Sequence, residues 1–201
     1  GLAGYVEDGR LSAEGIECAC AGLLSFRTTL QTLNIEGTHV FATASLRNIT
    51  NTAQALAVIQ AATGYSVEIL SGEEEALLGY AGAMRELHMT SGAFLDVGGA
   101  SSEVVTFDEG KPVDFQSFPI GSLSLYRRCV KKILPGEKSL KRIRKMIRET
   151  IYLQEGEQPA RPLLVSVGGT ARAVLKLTRV YYHCSEDCRS MTGEQLDGLC
   201  A

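Results

Sequence analysis

The chain has 201 residues, 45% of them hydrophobic, with 20 Lys and Arg against 23 Asp and Glu, a net charge of −3. That apolar content supports a packed core and excludes a disordered polymer. The near balance of charge excludes a globally basic nucleic-acid binder, and the lack of any apolar run near the roughly eighteen residues of a membrane span argues against a transmembrane protein.

The opening Gly1-Leu2-Ala3-Gly4 carries no basic-then-apolar secretory segment. The six cysteines (18, 20, 129, 184, 188 and 200) follow no paired zinc spacing. A cytoplasmic protein with reduced thiols is therefore expected, without a nucleic-acid partner. Ser12 is a candidate cap for a helix over 12–33, where Ile16, Ala19, Leu23, Phe26 and Leu30 recur at three- and four-residue steps. A strand is predicted at 39–43, a helix near 52–62 and a strand at 66–70 ending in Ser71-Gly72. A helix over 73–87 follows, its Glu73, Glu74 and Glu75 suited to the positive end of a helix dipole.

Residues 93–97 read as a buried strand running into Gly98-Gly99-Ala100-Ser101-Ser102. Segments 103–107 and 113–118 then form a predicted hairpin around Gly110. Helices over 122–132 and 140–153, a loop over 154–162, a strand at 163–167, a helix from Gly168 to about 182 and a helix start at Met191 complete the chain. This alternation predicts an α/β fold with substantially parallel pairing. A boundary near 87–92 is expected to separate residues 1–90 from 91–201 as two lobes around a cleft.

Four segments carry candidate chemistry. Small residues after a buried strand let the backbone N–H groups of Gly98, Gly99, Ala100 and Ser101 approach an anion. Asp96 and Glu103 flank that turn, and hard carboxylate oxygens of this kind suit Mg²⁺, which also keeps waters and phosphate oxygens. One of the carboxylates at 73–75, aimed at such a site, could orient and deprotonate an attacking water. Arg47, at a strand-to-helix transition, can fork onto a phosphate, and Gly168-Gly169-Thr170 opens a helix after a strand, with Thr170 as a candidate cap. Between Lys131 and Arg148 stand eight basic residues with only Glu137 against them: a solvated face, or a surface that steers a polyanion.

In order along the chain, GRLSAEGIE (9–17), ATASLRNITN (42–51), LSGEEEA (70–76), LDVGGASSE (95–103), PIGSLSL (119–125) and VSVGGTA (165–171) resemble the exopolyphosphatase and guanosine pentaphosphate phosphohydrolase (Ppx/GppA) family. The resemblance implies the two-lobed, ribonuclease H-like fold of actin-like ATPases, with the site in the cleft. It implies Glu75 as general base and Arg47 as a phosphate contact. Asp96 and Glu103 become Mg²⁺ ligands, Gly98 to Ser101 the second phosphate loop, and Gly168, Gly169 and Thr170 a further phosphate or nucleotide contact. The implied substrate is polyphosphate or a guanosine polyphosphate, and a homodimer is compatible with the family.

Family members carry a strand and a DxGSNS-type phosphate loop ahead of GRLS, whereas eight residues precede Gly9 here. The first lobe is accordingly expected to lack that loop, and the second to stop short of the family's C-terminal helical domains. Ala100 stands where a third glycine is usual, a change tolerated at negative φ and strained at positive φ. A non-catalytic polyphosphate- or nucleotide-binding regulator of the same fold is the alternative to the hydrolase, and a kinase of the same superfamily the third reading.

Overall fold

The computed structural model describes residues 1–151 and 161–200. It opens with a 3-10 turn, Leu2–Tyr5, and a short antiparallel pair, β1 (Val6–Glu7) and β2 (Arg10–Leu11), which the sequence pattern does not announce. Asp8 and Gly9 between them take φ of 46° and 72°, the paired positive values of a tight hairpin. Helix α1 (Ala13–Thr32) follows, capped by the Ser12 hydroxyl, which accepts from the Gly15 N–H at 3.1 Å.

Strands β3 (Val40–Ala42) and β4 (Val67–Ile69) pair in parallel and are connected by α2 (Ala44–Arg47) and α3 (Thr52–Thr63). Leu11, Leu46, Ile49, Ala55 and Ile59 form an apolar cluster beneath them. Buried Asn51 ties this cluster to the first hairpin: its side chain accepts from the Leu11 N–H at 2.9 Å and donates to the Leu11 carbonyl at 3.0 Å. Anchored on either side by Leu46 and Ile49, the short α2 holds Arg47 at its end.

The second sheet has the order β7-β6-β5-β8. It comprises β5 (Gly92–Val97), β6 (Ser102–Asp108), β7 (Lys111–Phe118) and β8 (Leu164–Val167). The first three run antiparallel, with Glu109 and Gly110 (φ 49° and 71°) making the predicted hairpin turn, and β8 lies parallel to β5. Strand alternation puts Phe94 and Asp96 on one face of β5, and Glu103, Val105 and Phe107 on the same face of β6. Helix α4 (Gly72–Met84) lies against that face, with Ala76 and Tyr80 packed on Phe94, Val105 and Phe107. The Tyr80 ring centroid stands 5.4 Å from that of Phe107 and 6.2 Å from that of Phe94. Thus α4, which the expected division at residue 90 groups with the first lobe, places its apolar side in the core of the second sheet.

The remaining helices are α5 (Ser122–Cys129), α6 (Glu137–Thr150), α7 (Gly168–Tyr181) and α8 (Gly193–Cys200). Helix α5 ends before the predicted Lys132 because Val130 turns to an extended conformation, and α6 starts earlier than predicted, at Glu137 after the extended Gly136. The predicted end of that helix at Leu153 and most of the predicted loop at 154–162 lie outside the described residues. Among the described residues no helix is long and apolar enough to cross a membrane.

Candidate functional site

Strands β5 and β8 are parallel neighbours, so their C-terminal ends emerge side by side, with Asp96 opposite Val167 in the register. Crevices at the carboxyl ends of parallel strands are the usual ligand sites of α/β sheets. The two glycine motifs follow these strands directly, which brings Gly98–Ser101 and Gly168–Thr170 to one end of the sheet. The Thr170 hydroxyl donates to the Val97 carbonyl at 3.0 Å and ties one motif to the other. This corrects the cap predicted for Thr170: the N-cap position of α7 falls on Val167, whose side chain cannot accept a hydrogen bond, and Thr170 lies inside the first turn with its hydroxyl turned to β5. Gly168 has φ +86°, and a Cβ there would lie 2.7 Å from the Asp96 Oδ1, so the position needs glycine for both its conformation and its neighbour.

The 98–101 turn is fixed by its carbonyls. Gly98 O accepts from the Ser122 N–H at 2.9 Å and the Ser122 hydroxyl at 3.1 Å, and Gly99 O accepts from the Ser124 N–H at 2.9 Å. The Gly98 N–H closes the turn onto the Ser101 carbonyl at 3.0 Å. Among the described residues the N–H groups of Gly99 and Ala100 have no acceptor, which leaves them for an anion. Ala100 is not among the residues at positive φ, so its methyl group imposes no backbone strain.

Asp96 and Glu103 face one another across the β5–β6 register. Both carboxyls are held above the usual carboxylate range. Burial is the larger cause for each, and the negative charge of Glu75 adds to it. Arg172 eases the effect on Asp96, while hydrogen bonding from Ser101 and Ser117 eases it on Glu103, with Ser117 donating at 2.9 Å. Glu103 is 2% exposed.

The three glutamates at the start of α4 separate by role. Glu74 completes a capping box with Ser71, accepting from the Ser71 N–H at 2.8 Å, and Glu73 is exposed. Glu75 turns inward, toward the Asp96 and Glu103 charges, and pairs with Arg47 at 2.9 Å. The same Arg47 nitrogen donates to the Leu70 carbonyl at 2.8 Å. The guanidinium expected on a phosphate is thus shared with the carboxylate expected as base.

Magnesium fits the chemistry of this donor set. Asp96, Glu103 and Glu75 crowd negative charge around one locus whose charge a divalent cation would offset. Among the described residues no three His, Cys, Asp or Glu stand together as a ligand group for a metal ion, so the protein offers at most a two-carboxylate seat. An ion held by two carboxylates and completed by water and phosphate oxygens is the Mg²⁺ pattern.

Sequence reasoning missed three residues that shape the site. Ser117 holds Glu103, but its position opposite Glu103 depends on a cross-strand register that the residues alone do not reveal. Gly121 lies against the 98–100 backbone, inside a motif quoted only for its resemblance. Arg172 had a readable signal: it stands four residues after Gly168, one helical turn along the same face.

A family model of the Ppx/GppA phosphatase family matches residues 2–201. Among solved structures, the chain is similar to an exopolyphosphatase from Cytophaga hutchinsonii, with a TM-score of 0.78 and 19% identity over 94% of this chain and 60% of that one. It is also similar to an Aquifex aeolicus Ppx/GppA family member, with a TM-score of 0.67 and 23% identity over 96% of this chain and 61% of that one. An exopolyphosphatase-like protein matches with a TM-score of 0.76 and 21% identity over 89% of this chain and 58% of that one. The chain therefore spans about three fifths of the length of these structures, and its α/β fold is theirs.

Proposed function

The chain belongs to the Ppx/GppA phosphatase family, and from that premise we propose that it carries the site of a phosphohydrolase that releases orthophosphate from the terminal phosphoanhydride of polyphosphate or guanosine pentaphosphate. One observation carries the reading: the Arg47–Glu75 pair meets the sheet where Gly72 packs on Ser117, the residue that holds Glu103 opposite Asp96, beside a glycine turn that has two unclaimed N–H groups. Phosphoryl transfer to water needs positioning and charge stabilisation rather than covalent steps, and these parts supply both.

In this reading the Gly99 and Ala100 N–H groups receive oxygens of the terminal phosphate, where preorganised donors stabilise developing charge. Glu75 orients a water for in-line attack and takes its proton. Arg47 fixes the Glu75 carboxylate through one nitrogen and keeps the remainder of its fork for a phosphate oxygen. Asp96 and Glu103 are the residues that would hold Mg²⁺. Bound there, the ion supplies charge neutralisation on the transferring phosphate. We place the meeting of the two lobes at this site, with α4 as the element that crosses between them.

The test is Mg²⁺-dependent orthophosphate release by the full-length protein, with Glu75→Gln as the variant. A fall in kcat of about 10²- to 10⁴-fold with unchanged thermal stability is expected for loss of a general base. Full turnover by that variant would remove Glu75 from the role. Substrate binding without any phosphate release by the unaltered protein would favour the regulator instead.

A further inference from the structure

Building on the phosphohydrolase reading, we propose that helices α5 and α6 form a binding track for the distal part of a linear polyphosphate chain, so that the extended inorganic polymer, rather than a guanosine nucleotide, is the substrate this surface retains. The argument starts from how the charge is distributed. Ten of the chain's 20 Lys and Arg fall between Arg127 and Arg148, a stretch with one carboxylate, Glu137. The other 179 residues hold ten cations and 22 carboxylates. A weakly acidic protein has thus gathered half of its positive charge on one helix pair and the segment that joins it.

Most of those cations face solvent. All eight between Lys131 and Arg148 are exposed. Among the described residues only Lys145 has a carboxylate partner, exposed Glu149 at 3.7 Å. The periodicity aligns them as well. At 100° per residue, Lys138, Lys141, Arg142, Arg144, Lys145 and Arg148 fall within about 160° of the α6 circumference. Ile143, Met146 and Ile147 occupy the other side and are partly buried, and the Arg142 guanidinium reaches back to the Cys129 carbonyl of α5 at 3.4 Å.

The track runs into the candidate site. Arg127 and Arg128 of α5 line a cleft of about 560 Å³ together with Asp8, Ser45, Asn48, Ala100 and Ser124, with one Arg127 nitrogen donating to the Ala3 and Val6 carbonyls. Ala100 belongs to the anion turn, so cationic surface extends from the reacting end of a substrate, along α5, to the exposed face of α6. Among the described residues no aromatic ring lines this cleft to stack a nucleobase. A polymer of identical anionic units uses successive cations in any register, whereas a nucleotide leaves most of the track empty.

The experiment uses full-length protein and the quadruple variant Lys138→Gln, Lys141→Gln, Arg144→Gln, Lys145→Gln, with tripolyphosphate, guanosine pentaphosphate and long-chain polyphosphate as substrates. Electrostatic retention and steering of this kind is worth about tenfold or more at low salt. The variant is expected to lose about that factor in kcat/KM for the long chain. Its values for the two short substrates should stay within about twofold, and its salt dependence should be shallower. Equal losses on all three substrates, or no loss on the long chain, would overturn the track.

A second readout separates this proposal from the reaction itself: binding of end-labelled long-chain polyphosphate to each protein in the Glu75→Gln background. Length-dependent, salt-sensitive binding that the quadruple variant loses supports the track even if no substrate releases phosphate, in which case the hydrolase reading alone falls. Hydrolysis with length dependence untouched sinks the track alone. Tighter capture of single-stranded RNA or phosphatidylserine vesicles than of polyphosphate, abolished by the same substitutions, would reassign the surface and overturn the proposal.

Discussion

Replacing Gly121 with alanine adds one methyl group and alters no charge, yet that methyl would meet only backbone. An alanine Cβ would stand 2.5 Å from the Gly98 carbonyl oxygen, 2.6 Å from the Gly99 carbonyl carbon and 2.8 Å from the Ala100 nitrogen. Optimal carbon contacts lie at about 3.5–4.0 Å, so the turn has to retreat by roughly 1 Å. Gly121 has φ −147°, ordinary extended backbone, and the penalty is therefore overpacking alone, about 1–3 kcal/mol. For a chain of this size each kcal/mol lowers the unfolding midpoint by about 2–4 °C. Activity is expected to suffer more, because the displaced backbone carries the N–H groups proposed to receive phosphate, and a misplacement near 1 Å costs on the order of 10²-fold.

Gly22→Ala provides the opposite sign from the same chemical change. Gly22 lies within α1 with nothing within 4 Å of its Cβ position, so alanine stabilises by about 1 kcal/mol through helix propensity and leaves turnover alone. Denaturant unfolding and orthophosphate release on both variants check the pair. A Gly121→Ala protein with unchanged midpoint and turnover would show the contact to be slack. One that is destabilised but fully active would detach the 98–101 turn from the reaction.

Ser117→Ala removes a hydrogen bond that favours the charged form of Glu103, so the acidic limb of the kcat/KM profile should move to higher pH; a profile that stays in place argues against Glu103 as a titrating site group. Asp96 and Glu103 are raised in the folded chain above their unfolded values, near about 4. Their contribution to stability is therefore present below that pH and lost as pH climbs through the raised values. The difference in metal-free stability between the unaltered protein and Glu103→Gln should shift in favour of the variant across that window, and Mg²⁺ should raise the midpoint more at its upper end; a pH-independent difference would contradict the sign. Thr170→Val forfeits the bond to Val97 and should cost about 1 kcal/mol with a rise in KM, measured by unfolding and by substrate titration.

Legibility in the sequence followed the range of the interactions involved. The α1 cap at Ser12, the helix start at Ser71-Gly72 and the turn around Gly110 depend on residues a few positions apart, and the residues announce them, although the Ser71–Glu74 capping box went unread. The Asp8-Gly9 hairpin carried a similar signal but joins strands of two residues, too short for any alternation to show. The carboxylates bracketing the 98–101 turn were equally readable, since Asp96 and Glu103 are near in sequence and opposed in one register. What Arg47 does was not readable. Its partners, Leu70 and Glu75, lie 23 and 28 residues away, and the bond depends on how α2 and α4 are placed.

That placement is set by apolar residues, which links the chemistry to the core. Alternation along β5 fixes Asp96 two residues beyond Phe94, and along β6 it fixes Glu103 two residues before Val105. On α4, Glu75 directly precedes Ala76, and Ala76 and Tyr80 rest on those same strand residues. The three carboxylates are therefore carried by one packing interface, where a displacement of α4 along Phe94 and Phe107 moves Glu75 against both partners at once. A buried cluster in which the Tyr80 hydroxyl has no partner among the described residues has accepted a polar cost to keep a ring in this position. The position of that ring governs how closely the helix carrying Glu75 can approach the sheet. Precision at the candidate water-activating residue is thus a property of aromatic packing one to two helical turns away, and loosening that packing is expected to weaken turnover before it unfolds the chain.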